Sequence, residues 1–503
     1  MNSTKKPAAH LLPYWLLVSA FTLFSLIGMG DDPDLWGHTL FGLDILQTGA
    51  IPRIDLYSYT SGGQPWINHE WLSEVIFGGL YLAGGANGIM LLKLLGFGVA
   101  FVLLRSIARQ KGLVLEMRLL LAGLTISILQ HGLAFRPQLF TYLLFTLLVH
   151  LLLAPGKKYR WLIPPLLLLW VNLHGGFLMG LAAVGVYTCC ELAGAARAGR
   201  FRRFPALLGL AGASLLATLG NPYGWKLWAF LGDSLSRPRP NITEWQSVSL
   251  MSWDWVEFKV LCLVFLAAIG LSRRKKKPWL LVLTALCGLA ALRYNRHMPF
   301  FAITCTLLLP EHIAASLARF GKPLTARLEQ ARGLLTPLYV LGAATLLCCI
   351  PMRYGRSACQ LTVPADTYPV HAVRWMKASG ISGNCAVFFN WGEYVIWHLK
   401  NRVRVSIDGR YRTVYPEEVI RKNFQLLYAE QGGEALLHGY PTDLVLMPNG
   451  FPVVDVLEQL PQWQPVFRSA LATLFIRSST PGAAQYPHPA APPPAAAATT
   501  AFP

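Results

Sequence analysis

Eleven apolar runs, each close to the length that crosses a bilayer, constrain this chain more than any other feature. They run approximately 10–30, 88–108, 118–134, 138–154, 161–175, 176–195, 204–220, 254–272, 278–292, 298–316 and 333–351. A spanning helix needs about 20 mostly apolar residues, and fewer when it packs inside a bundle. The expected fold is therefore an α-helical polytopic membrane protein of about 11 transmembrane helices. Composition agrees, because 54% of the 503 residues are hydrophobic and only 14% charged, against roughly 25% charged in an ordinary soluble domain. No small-residue cleavage site follows the first run, which reads as a retained helix.

Orientation follows from the basic residues of the short loops. With the N-terminus cytoplasmic, 22 Lys and Arg fall on the inner side, from Lys5 and Lys6 through the Arg273–Lys277 run to Arg332, and 7 on the outer side. An odd number of crossings then places everything after residue 351 outside. The inner segments hold only Glu116 and Glu329 as acids, so they account for essentially the whole net charge of +19. That charge is a topology signal and calls for no nucleic-acid partner. The segment 66–86 is expected to lie along the outer interface, with Trp66, Trp71 and Tyr81 as anchors. If it spanned, the basic loop 105–118 would face out.

Three regions result: a membrane module over 1–351 with a first outer loop at 31–87, a small extracytoplasmic α/β domain over 352–478, and a Pro/Ala-rich tail over 479–503 expected to lack structure. In the α/β domain, strand-like runs at Cys385–Phe389, Val403–Ile407, Leu444–Met447 and Thr473–Ile476 alternate with helical patterns around 369–379 and 417–430. The nine cysteines show no CxxC pair and no zinc-ligand spacing. Cys359 and Cys385 are the two in the outer domain, and an oxidising compartment leaves their pairing open.

The first outer loop opens GMGDDPDLWGH, and between residues 31 and 70 it carries six acids (Asp31, Asp32, Asp34, Asp44, Asp55, Glu70) against one base, Arg53. Three aspartates within four residues repel one another, which suits a general base or a divalent-cation clamp. Further polar residues recur at outer helix ends: His69 and Glu70, Arg136 in AFRPQ, Asn172 and His174 in WVNLHGG, Asn221 in GNPYG, Glu244 and Trp245 in NITEWQ, and Arg293, Arg296 and His297 in RYNRH. Singly, each reads as a helix cap or an interfacial anchor. Gathered on one membrane face, acids and Arg/His groups suit a phosphate-linked donor with its apolar tail in the bilayer. Arg binds the phosphate as a leaving group, and an Asp takes the proton from an acceptor hydroxyl.

The segment DDPDLWGHTLFGLDILQTGAIPRIDLYSYTSGGQPWINHEWLSE resembles the first outer loop of bacterial GT-C-type membrane glycosyltransferases, in the protein-mannosyltransferase-like branch. The motifs FRPQLFTYLLF, WVNLHGGFLMG, NPYG, ITEWQ, RYNRHMPFF and NWGEYVIWHL followed by VSIDGRYRTVY extend the resemblance over about residues 10–478. It implies an enzyme of the bacterial cytoplasmic membrane, a polyprenyl-phosphate sugar donor, an extracytoplasmic glycan, lipid or protein acceptor, and a catalytic Asp just after the first span. That Asp maps to Asp34, with Asp32 second and Asp31 in the same group; the three also form the possible divalent-metal set. Arg293, Arg296 and His297 map to the donor phosphate, with His69, Glu70, His174 and Arg136 as further substrate contacts. Gly37 departs from the pattern, which has a second aromatic residue there.

Two other classes remain open. A transporter or flippase of a lipid-linked substrate predicts broken spans in two related halves and ionisable groups near the midplane, whereas here the ionisable groups crowd one face. A non-catalytic scaffold for envelope assembly makes no separate prediction from sequence.

Overall fold

A computed structural model describes residues 12–28, 32–320, 322–486 and 500–503. The chain is mostly helical, and each of the eleven apolar runs contains a helix. By length and composition, three of the described helices can cross a membrane, Phe177–Arg197, Asn295–Arg319 and Leu335–Tyr354, with Leu12–Ile27, Gln138–Leu153 and Pro278–Arg293 apolar but shorter. The count of eleven spans is not reached on that criterion because several runs form short helices. Ile163–Leu173, for example, has 11 residues, about 16 Å of helix against a hydrocarbon core of roughly 30 Å.

The chain divides into two compact units. One comprises Met1–Gly30, Met90–Trp225 and Arg237–Cys359; the other comprises Asp31–Ile89, Lys226–Ser236 and Gln360–Pro503. A boundary at 351/352 thus misses a feature of the second unit: the first outer loop folds together with the C-terminal domain.

The first unit is a helical assembly in which the helix Met298–Phe320 is central. Its face is apolar on nearly every turn, and Phe300, Phe301, Ile303, Cys305, Leu308 and Leu309 are all buried. Polar groups inside the assembly are satisfied locally. Thr125, Thr146, Thr284 and Thr306 each donate to the carbonyl four residues back, which is how hydroxyls are accommodated where water is absent.

The second unit is built on a five-stranded mixed sheet. Its strands are β2 (Gly383–Val387), β3 (Val403–Val405), β4 (Leu444–Pro448), β5 (Trp463–Arg468) and β6 (Ala472–Arg477), preceded by a short β1 (Thr362–Val363). The order is β3-β2-β4-β6-β5, with β3, β2 and β4 parallel and β6 antiparallel to both its neighbours. β4 is buried at all five positions, as a central parallel strand must be when both faces are covered. The helices Val370–Ser379 and Glu417–Leu427 stand where the sequence patterns place them. Cys385 is buried in β2, Cys359 is exposed, and both are free thiols.

The first outer loop joins this sheet directly. Ser58 bridges Val405 in parallel, Tyr59 N–H donates to Val405 O at 3.1 Å, and Thr60 Oγ1 donates to Ser406 O at 2.6 Å. The loop also contains a helix, Pro33–Thr48, where no apolar run predicts one. Its signals are local: Asp32 at the N-cap accepts from the Asp34 N–H at 3.0 Å, Pro33 opens the first turn, and Gly49 closes the helix at φ 66°. The segment 66–86 is helical from Trp71 and runs to Met90, with a break at Gly84 and Gly85. Of the tail, residues 487–499 lie outside the described set. Ala483–Gln485 form one turn, and Thr500–Ala501 form a strand, β7, antiparallel to β1, with Phe502 stacked on Trp36 at 4.3 Å. Those two ends depart from the unstructured tail expected from composition.

Candidate functional sites in the two units

In the second unit two acids of the loop, Asp44 and Asp55, are matched by cations of the C-terminal domain. Asp44 accepts from Tyr57 Oη at 2.6 Å and from Lys400 Nζ at 2.7 Å. Asp55 accepts from Arg410 Nη1 at 2.7 Å, and Arg410 also holds Asp408 through Nε at 2.9 Å and Nη2 at 2.6 Å. Tyr415 Oη donates to the same Asp408 oxygen at 2.6 Å. This network is buried, and its guanidinium lies 4.8 Å from the Trp66 ring centroid and 5.1 Å from that of Tyr57. The motif Asp408-Gly409-Arg410 is therefore an internal ion pair that anchors the first outer loop.

Asp34 projects from the first turn of helix Pro33–Thr48 toward the same motif. A Cβ on Gly409 would collide with both Asp34 Oδ1 and Glu393 Oε1, so these two carboxyl groups share the space that glycine leaves open. Glu393 lies at the start of helix Gly392–Leu399, is only 4% exposed, and accepts from the Gly37 N–H at 2.9 Å. Burial foremost, then the charges of Asp34 and Asp408, push the Glu393 carboxyl well above the usual carboxylate range. Gly37 has its own explanation here. A Cβ at that position would fall on the Glu393 carboxyl, so an aromatic residue and this close approach exclude each other.

Of the possible metal set, Asp32 and Asp34 are among the described residues. Asp31 lies outside the described residues, the Asp32 side chain caps a helix, and no group of three His, Cys, Asp or Glu able to hold a metal ion occurs among the described residues. Asp34's acidic neighbours are unsuited to join such a set, since Glu393 favours its proton and Asp408 is held by Arg410. Nearby, His69 and Glu70 are 3.8 Å apart with His69 beside Phe230. Glu74 is buried, accepts from Asn68 Nδ2 at 2.5 Å and lies 3.7 Å from His38. Burial raises the Glu74 carboxyl above its ordinary value.

In the first unit Arg296, expected at the donor phosphate, and Arg136, expected as a further substrate contact, meet on one carboxylate. Arg296 Nη1 lies 3.3 Å from Glu244 Oε1, and Arg136 Nη1 lies 3.4 Å from Glu244 Oε2. Trp245 packs beside them, with the Arg296 guanidinium 4.5 Å and that of Arg239 4.1 Å from its ring centroid. Burial works against the charge on Glu244, but Arg296 and Arg136, joined by His174 and Arg239, outweigh it and hold the carboxyl below its usual range. A cavity of about 230 Å³ opens at this cluster, walled by Glu244, Arg296, Tyr142, Gln138 and Asn295 among others.

The other predicted residues divide. His297 follows Arg296 directly, and its Nδ1 is buried with no hydrogen-bond partner among the described residues. His174 Nδ1 takes the Gly176 N–H at 2.9 Å and bonds Thr141 Oγ1 at 2.8 Å, which ties it to the turn before the helix Phe177–Arg197. Arg293 is exposed over Tyr294 and joins neither cluster. Sequence reasoning placed neither Glu244 nor Glu393 among the site residues. The NITEWQ motif marked the first as an outer polar residue; nothing local marked the second.

No family model and no curated protein matches the chain. Among solved structures, it is similar to the archaeal oligosaccharyltransferase AglB from Archaeoglobus fulgidus in complex with an inhibitory peptide and a dolichol-phosphate, with a TM-score of 0.49 and 13% identity over 87% of this chain and 70% of that one. It is also similar to the arabinofuranosyltransferase AftD from Mycobacteria, with a TM-score of 0.46 and 15% identity over 92% of this chain and 40% of that one. At these values the likeness carries no functional argument, which rests on the residues.

Proposed function

We propose that the chain is a membrane glycosyltransferase that moves a sugar from a polyprenyl-phosphate donor to an extracytoplasmic acceptor. The observation that carries this reading is the pair Arg136 and Arg296, brought together from segments 160 residues apart onto one anion at the wall of a cavity. Two guanidiniums converging in a partly dry site suit a phosphate leaving group, whose growing charge they stabilise as the bond to the sugar breaks. The flanking helices are apolar, as a lipid tail requires.

Asp34 is the general base of this reading. The acceptor oxygen attacks the anomeric carbon, the bond from that carbon to the phosphate oxygen breaks, the bonding pair leaves with the phosphate, and the acceptor proton passes to Asp34. One displacement inverts the anomeric centre. Glu393 shares the space beside Asp34, and its burial favours the protonated, uncharged form of that neighbour.

The test uses the purified full chain in nanodiscs with a radiolabelled polyprenyl-phosphate sugar and an extract of extracytoplasmic glycans as acceptor. Release of polyprenyl phosphate is expected from the natural chain and is expected to fall at least about 100-fold in Asp34→Asn, in line with loss of a general base. Unchanged turnover in that variant removes Asp34 as the base. A lipid-linked glycan profile that is identical in cells with and without the protein overturns the transferase reading itself.

A further inference from the structure

The Arg136 and Arg296 seat is filled by the protein's own carboxylate. Glu244 presents a different oxygen to each guanidinium, the arrangement that two oxygens of a phosphate adopt between two arginines. Its contacts of 3.3 and 3.4 Å are longer than the roughly 2.7–2.9 Å of a closed charge-assisted bond. The carboxylate therefore fills the seat without gripping it.

The surroundings favour movement of the side chain over movement of its support. The turn Thr243–Trp245 is pinned, because Asn295 Nδ2 donates to Thr243 O at 2.9 Å and Asn295 N–H donates to Gln246 O at 3.0 Å. Trp245 gives Arg296 a second contact that is independent of the carboxylate, its ring centroid 4.5 Å from the guanidinium. The Glu244 side chain keeps 32% of its surface exposed, so its charge has water to enter when it leaves. The adjoining cavity of about 230 Å³ has room for a phosphate group and several waters, at roughly 30 Å³ for each water.

We propose that Glu244 is an internal counter-anion that competes with the substrate's phosphate for Arg136 and Arg296. It leaves when a phosphate enters and returns to displace the phosphate that remains after transfer. This deepens the proposed function and rests on its assignment of the donor phosphate. The competition discriminates by charge. A sugar phosphodiester carries one negative charge, whereas the phosphomonoester left behind carries close to two. A nearby carboxylate repels the second more than the first, so Glu244 hastens release of the product.

The experiment measures binding of farnesyl phosphate and, separately, of inorganic phosphate to the full chain in zwitterionic nanodiscs, read by tryptophan fluorescence and by calorimetry. Glu244→Gln and Glu244→Ala are both expected to bind farnesyl phosphate about tenfold tighter than the natural chain, a difference of about 1.4 kcal/mol. Glu244→Asp, which keeps the charge, is expected to tighten it less. Adding Arg296→Ala to Glu244→Gln is expected to abolish the gain. Unchanged or weaker binding in both neutral variants overturns the proposal, because Glu244 then serves to hold the arginines. Tightening for inorganic phosphate alone leaves the counter-anion role standing and overturns the lipid-phosphate donor, so the two failures are distinguishable. Melting temperatures of the variants verify folding, and Glu244→Ala stands in if the glutamine variant does not fold.

Discussion

Glu393 and Arg410 show how differently two buried ionisable residues bear on stability. Glu393 holds its proton more tightly when folded than its ordinary value of 4.5 allows. Between 4.5 and that raised value the folded chain binds more protons than the unfolded one. Its contribution is thus fully present below 4.5 and is lost as pH rises through the folded pKa. Glu393→Gln keeps an acceptor for the Gly37 N–H and removes the titration, so the melting temperature of the variant is expected to fall less than that of the natural chain as pH is raised from 4.5. An identical slope in both proteins overturns the assignment. Arg410 is the opposite case, a charge that must stay. Arg410→Met leaves the buried Asp408 and Asp55 carboxylates without their cation, and a loss of about 3–5 kcal/mol is expected in urea unfolding. These long-range partners were not legible in the sequence. Gly37 and Glu393 are 356 positions apart, and no local pattern encodes such a meeting.

At the scale of elements, legibility followed the kind of signal each segment carries. β4 and β6 were readable as short apolar runs bounded by turns, because a strand covered on both faces leaves that mark. The helix Pro33–Thr48 was passed over because its acids drew attention as chemistry, although Asp32, Pro33 and Gly49 spell its caps. Its position against helix Gly392–Leu399 depends on the bare backbone at Gly37. Gly37→Ala puts a methyl group onto the Glu393 carboxyl, and a cost of about 1–3 kcal/mol is expected. The same substitution in a Glu393→Ala background is expected to cost clearly less, since the obstacle is gone. Thermal melts of the four proteins in this double-mutant cycle measure the coupling; additive losses show that the two positions do not interact.

At the scale of the whole molecule, two independent lines put the same three segments together. The bias of basic residues assigns the first outer loop, the loop around residue 230 and everything after residue 351 to the outer face. Contacts within the structure gather Asp31–Ile89, Lys226–Ser236 and Gln360–Pro503 into one compact unit, and segments on opposite sides of a membrane cannot share a core. That grouping requires the three segments to lie on one side, and within it Lys400 and Arg410 of the C-terminal domain pair with Asp44 and Asp55 of the acidic loop. It also yields a direct prediction. In a variant without its native cysteines, Glu430→Cys in the C-terminal domain is expected to react with a membrane-impermeant maleimide on intact spheroplasts. Lys275→Cys, in the basic run Arg273–Lys277, is expected to react only after permeabilisation. Both positions are exposed, so a difference between them reports sidedness and not burial. Labelling of Lys275→Cys on intact cells, with Glu430→Cys protected, reverses the topology and removes Asp34 from the compartment in which an extracytoplasmic acceptor is found.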